Sequence, residues 1–176
     1  MNSRLLLVSL SALTAVSPAY AVTYLSIDQA QALMFPGVLL TPDPRVLNLD
    51  QMRVVEQVSG AKLLSPQLRA WHSADGGWFL LDQVIGKHDL IGYALALDAG
   101  GTIRQVEILD YRESYGGEIR VPTWRRQFVG KKNGAPLLLD DDIKNISGAT
   151  LSCRHVTEGV RKMLAIYATV LAPRQN

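Results

Sequence analysis

The sequence predicts an α+β fold: an antiparallel β-sheet with a C-terminal helix packed on it and short N-terminal helices. Three observations predict it. Residues 90 to 97 alternate, with Ile91, Tyr93, Leu95 and Leu97 set against Gly92, Ala94 and Ala96, the period of a strand with one small-residue face. Asp98-Ala99-Gly100-Gly101 then forms a strong turn into a second strand pattern at Ile103, Val106 and Ile108. Near the C-terminus, Val156, Val160, Met163, Leu164, Tyr167 and Leu171 recur at helical spacing, with Arg154, Glu158, Arg161 and Lys162 off that stripe. Strands in one block with helices at both ends favour α+β over a doubly wound sheet.

Taken in order, the chain opens with Arg4, an apolar stretch from Leu5 to Val16, and Ala19-Tyr20-Ala21. Small residues at the first and third places of that triplet suit a signal peptidase. The apolar run falls well short of the roughly 20 residues that span a bilayer. Residues 1–21 therefore read as a signal peptide cleaved after Ala21, and the expected location is periplasmic or otherwise exported. Residues 22–75 read as a helical or irregular extension. Ser26 and Asp28 begin a short helix through Ala30, Leu33 and Met34, stopped at Pro36-Gly37. Thr41-Pro42-Asp43-Pro44 reads as a turn or linker. Asp50 is placed to cap a second helix through Met52, Val55 and Val58, ended by Gly60. The main domain is 76–176, with strands at about 78–85, 90–97 and 102–110 and a helix from about residue 152.

Composition narrows the function. The chain has 176 residues, suited to a single domain. Without Arg4 it carries 17 basic and 16 acidic side chains, a balance that offers no basic stripe to nucleic acid. Cys153 is the single cysteine, which excludes intramolecular disulfides, CxxC metal sites and CxxCH haem attachment. Cys153 reads as a small buried hydrophobe. His72, His88 and His155 lack metal-ligand spacing, and no Ser-His-Asp order is legible.

The stretch that carries chemistry is Ile146-Ser147-Gly148-Ala149-Thr150-Leu151-Ser152, directly before the last helix. It is a small-residue turn with three hydroxyls at a helix N-terminus, where unpaired N–H groups and the positive end of the helix dipole favour a phosphate. Gly148 and Ala149 leave space around the Thr150 hydroxyl. On spacing alone, Ser147, Thr150 or Ser152 reads as an ordinary N-cap, since Ser and Thr are commonplace at helix starts.

This stretch resembles the SGAT-type signature of the FMN-binding domain family, which includes the periplasmic C and G subunits of sodium-translocating quinone reductases and Rnf complexes and stand-alone exported proteins. Two further elements extend the resemblance over about residues 78 to 171. Tyr111-Arg112-Glu113-Ser114-Tyr115-Gly116-Gly117-Glu118-Ile119 is similar to the family's strand end, glutamate and glycine-rich turn. Trp124-Arg125-Arg126-Gln127-Phe128-Val129-Gly130-Lys131 is similar to its W…F-x-G-K element. The resemblance implies that Thr150 carries FMN as a phosphoester, installed from FAD by a magnesium-dependent flavin transferase outside the cytoplasm. It implies an electron carrier whose partners are redox proteins or a quinone-linked membrane complex. It also implies a cofactor site drawn from Ser147, Gly148, Ala149, Thr150, Leu151 and Ser152, with Glu113, Trp124 and Lys131 as further candidates.

Each of those three has an ordinary alternative. Glu113 can cap its own turn, Trp124 can pack in the core with Phe128 one helical turn on, and Lys131 can be a surface lysine. One position departs from the family pattern. The transferase's recognition sequence has an acidic residue three places before the serine, where this chain has Lys144, with Asp140, Asp141 and Asp142 nearby. That departure keeps a second reading open, an extracytoplasmic binding module of the same fold without covalent flavin. The three aspartates read as a solvated turn.

Overall fold

The structure is a computed structural model that describes residues 22–113 and 115–173. The signal-peptide reading of residues 1–21 lies outside the described residues. Seven strands form the sheet: β1 (Val22–Thr23), β2 (Leu40–Pro42), β3 (Arg45–Val46), β4 (Gln67–Ser73), β5 (Trp78–Ile85), β6 (Leu90–Leu97) and β7 (Ile103–Tyr111). Their order is β1-β7-β6-β5-β4-β2, with β3 also pairing with β4. All pairings are antiparallel.

The alternation read from the sequence assigns the two faces. Leu80, Val84, Ile91, Tyr93, Leu95, Leu97, Val106 and Ile108 point to the main core, against α4 (Thr150–Ile166), which continues as a wider turn over Tyr167–Leu171. The expected stripe holds: Val156, Val160, Met163, Leu164, Tyr167 and Leu171 are all buried. On the opposite face Ala94 and Ala96 let α1 (Ile27–Met34) approach, and Ala30, Met34 and Phe35 cover Phe79, Leu81 and Leu109. A third helix, α2 (Leu49–Ser59), packs on α4, where the Arg161 guanidinium donates to the Ser59 carbonyl at 2.6 Å. A short helix, α3 (Pro122–Arg125), lies between the glycine-rich segment and the loop back to α4.

Contact between α4 and the sheet is closest at Gly159. A Cβ there would meet the Tyr93 hydroxyl at 2.6 Å and Val84 Cγ1 at 2.7 Å, both deep in the core. Gly159→Ala is expected to lower stability despite the roughly 1 kcal/mol that alanine gains over glycine in a helix, because overpacking costs typically 1–3 kcal/mol. A urea melt showing a raised midpoint would contradict this packing.

Three details differ from the sequence reading. Residues 22–75 are not only helical or irregular, because they supply β1 to β4, and Thr41-Pro42 is strand rather than linker. β4 was legible in principle, since Leu68, Ala70 and Ser73 are buried between more exposed neighbours. Polar Gln67, Arg69 and His72 mask that run as a loop. The cap of α2 is Asn48, not Asp50: Asn48 and Gln51 exchange side chain-to-backbone bonds as a capping box. Lys162, expected off the packing stripe, is buried at 4% exposure by its ion pair with Asp82.

Candidate functional site

At one end of the sheet the β5–β6 hairpin, the segment after β7 and the start of α4 meet. The hairpin is held from across by Glu113, whose carboxylate accepts the N–H groups of His88 and, at 3.0 Å, Asp89. Gly86 makes room for this: a Cβ there would lie 2.5 Å from Glu113 Oε1. Burial alone would raise the Glu113 pKa, but the backbone donors at Asp89, His88 and Lys87 outweigh it and hold the carboxyl below its ordinary value. A depressed pKa contributes stability above the unfolded value that is lost as pH falls through the folded one. Hydrogen exchange at the His88 and Asp89 amides should therefore quicken, relative to the core, as pH drops through the acid range. Glu113→Ala should remove that pH dependence.

The first turn of α4 is anchored from below. The Tyr111 phenol donates to the Tyr115 carbonyl, so the Ser152 hydroxyl donates to Tyr111 at 2.9 Å. Gly116, at φ 92°, permits this approach, since a Cβ would sit 2.6 Å from the Tyr111 hydroxyl. Tyr111 is buried, which raises its phenol pKa, and its proton stays in place. The Ser152 hydroxyl is therefore taken up by Tyr111.

Thr150 itself is half-exposed and begins α4. The N-cap residue is Ala149, and no side chain caps the helix. Its first N–H groups are thus free of the side-chain acceptor that usually satisfies them. The Thr150 hydroxyl accepts from Asn145 Nδ2 at 3.0 Å, and Asn145 Oδ1 in turn accepts the Ile146 N–H at 2.8 Å. Gly148 has φ 84°, and nothing lies within 4 Å of where its Cβ would be. A groove of about 590 Å³ opens here, lined by Lys87, His88, Glu113, Tyr115 and residues 148–152. Tyr115 is 86% exposed beside it.

Residues 86–165 match the family model described as an FMN-binding domain. The matched stretch is less than half of the chain, and it is similar to an FMN-binding domain. The match spans the hairpin tip, the glycine-rich segment and the α4 N-terminus, the same three pieces that frame the groove. One solved structure similar to this chain is the C subunit of the Na(+)-translocating NADH-quinone reductase from Parabacteroides distasonis. It shares 17% identity at a TM-score of 0.53, covering 77% of this chain and 80% of that one. At that identity the likeness shows the fold. No curated protein matches the chain.

Within the matched residues, the sequence-predicted Gly148, Ala149, Thr150, Leu151, Ser152 and Glu113 converge on the groove, and exposed Ser147 adjoins it. Trp124 and Lys131 do not line it. Trp124 is buried edge-on to Phe128, its indole N–H donating to the Lys144 carbonyl at 2.8 Å, so it packs in the core and secures the loop before α4. The Lys131 ammonium pairs with Asp142 at 2.7 Å. Asp142 also accepts the N–H groups of Leu137 and Leu138, so one of the three aspartates organises its turn. Among the described residues no acidic, histidine or cysteine cluster is placed to hold a metal ion. Cys153 is fully buried and its thiol pKa is raised by that burial, as expected of a packing residue.

Sequence reasoning missed Lys87, His88, Tyr115 and Asn145. Lys87 and His88 arrive through hairpin register, which no local motif marks. Asn145 carried a signal, since an Asn five residues before a Thr across a glycine turn can reach its hydroxyl.

Proposed function

We propose that the chain is an exported flavoprotein that carries FMN through a phosphoester on Thr150 and transfers electrons outside the cytoplasm. The observation that carries the proposal is the Thr150 hydroxyl, set at an uncapped helix N-terminus and open to the groove, inside the stretch similar to an FMN-binding domain. The residues present fit the group. The free first-turn N–H groups of α4 and the helix dipole favour a phosphodiester, and Lys87 adds positive charge on the facing hairpin. Exposed Tyr115 offers a flat face to a planar ring. Asn145 donates to the Thr150 hydroxyl and limits its rotation, and Gly148 keeps the approach clear for a modifying enzyme. FMN accepts one or two electrons and so links one- and two-electron partners.

A flavin transferase using FAD and Mg²⁺ would attach the group. Redox proteins or a quinone-linked membrane complex would then exchange electrons with it, the likeness to a quinone reductase component supporting the latter class. Export after cleavage at Ala21 brings the chain to such a transferase. N-terminal sequencing of protein from an exporting host is expected to begin at Val22, and an N-terminus at Met1 would contradict export. The test of the cofactor is colour: protein made with an active flavin transferase should stay yellow and fluorescent through denaturation. Flavin that separates on unfolding, or none at all, would instead favour the binding-module reading that Lys144 keeps open.

A further inference from the structure

A second cavity, of about 380 Å³, shares no lining residue with the flavin groove. It lies where the β4–β5 ladder ends at Arg69 opposite Leu81, so that the start of β4 diverges from Asp82 and Gln83. On the α4 side of the sheet its wall is apolar, with Leu47, Leu63, Leu68, Met163 and Ile166, and it continues past Asp82 and Gln83 to Leu25 and Leu109 on the other face. Its two buried polar side chains, Lys162 and Tyr93, meet Asp82 in one cluster, and its other polar lining residues are more exposed. There the Lys162 ammonium lies 2.8 Å from Asp82 Oδ2, and the Tyr93 hydroxyl donates to the same oxygen at 2.6 Å. The Lys162 side chain is only 5% exposed.

Burying a lysine this deeply costs several kcal/mol that one ion pair offsets only in part. A side chain serving packing alone would be better replaced by a methionine. Asp82 uses one of the three ammonium N–H donors. We propose that this cavity binds a neutral small molecule with an apolar body and a hydroxyl or carbonyl oxygen, which accepts from Lys162. The charges select the class. Lys162 and Asp82 already balance, and Arg69 and Asp110 add one charge of each sign nearer solvent, so a carboxylate at Lys162 would set a second negative charge beside Asp82. A cation would face Lys162. A neutral oxygen meets the ammonium without either conflict, and a hydroxyl can also donate to Asp82. The volume falls within the range of small-molecule sites.

The test is calorimetric titration of the full protein with α-naphthol, naphthalene and α-naphthoate. Saturable binding of α-naphthol is expected, at least about tenfold tighter than either relative, the size expected for a hydrogen bond to a charged group. The double variant Lys162→Met/Asp82→Asn, which leaves neither charge unpaired, should bind α-naphthol and naphthalene alike. Leu64→Trp, at an exposed lining position where folding tolerates change, should weaken all three by obstructing the cavity. Equal affinity for α-naphthol and naphthalene in the unaltered protein would overturn the proposal. So would α-naphthol binding that Leu64→Trp leaves unchanged, or no binding at millimolar probe.

Discussion

Thr150→Ala is expected to yield colourless protein with its fold intact, even when made beside an active flavin transferase, FAD and Mg²⁺. Only a hydroxyl can take the phosphoester, and the structural cost of losing this one is small. The residue is not the helix cap, since Ala149 holds that position and no side-chain cap bond exists to lose. What disappears is one neutral, partly exposed hydrogen bond from Asn145, worth about 1 kcal/mol. Circular dichroism and melting should therefore match the unaltered protein closely while visible absorbance vanishes. Thr150→Ser keeps the oxygen but changes its positioning, and reduced labelling is expected. Ser147→Ala should retain flavin, because Ser147 is an exposed turn residue beside the acceptor. Yellow Thr150→Ala protein after denaturation would refute the assignment.

The largest stability effect is expected at Arg125. Its guanidinium sits against the Glu107 carboxylate and donates to the Val106 carbonyl at 2.7 Å, with side chains only 13% and 9% exposed. This contact fastens the segment between the glycine-rich turn and the α4 loop to β7. Arg125→Met leaves Glu107 buried with only Gln105 Nε2 as a partner, 2.8 Å away. Breaking one side of such a pair costs about 3–5 kcal/mol. At this chain length that is a fall in Tm of roughly 6–20 °C. Arg125→Met/Glu107→Gln should recover much of the loss, because no unpaired charge remains. A thermal melt unchanged by Arg125→Met would show that the pair is solvated.

Much of this was legible in local sequence, and the reason is physical. β6 and β7 alternate side chains against a continuous core and β5 is a run of β-formers after Gly76-Gly77, so their patterns are strong and their observed limits fall within about a residue of those read from the chain. The α4 stripe was equally plain. β4 was not, because its outward face is polar and its burial depends on α2 and the loop after it, which come from elsewhere in the chain. Lys162 was misplaced for a related reason: a lysine off the stripe reads as solvated until its partner Asp82, eighty residues earlier, is brought beneath it. The site divides the same way. Gly148, Ala149 and Thr150 are one contiguous turn whose chemistry is local. Lys87, His88 and the Glu113 clamp exist only once hairpin register sets the β5–β6 tip against the end of β7.

The most direct measurement of the central claim is peptide mass mapping of protein exported beside an active flavin transferase. Trypsin cuts after Lys144 and Arg154, releasing a peptide of residues 145–154 with Thr150 inside. That peptide is expected to carry the mass of one FMN less one water, with fragmentation placing it on Thr150. Flavin on any other peptide, or an unmodified 145–154 peptide from fully exported protein, would contradict the account.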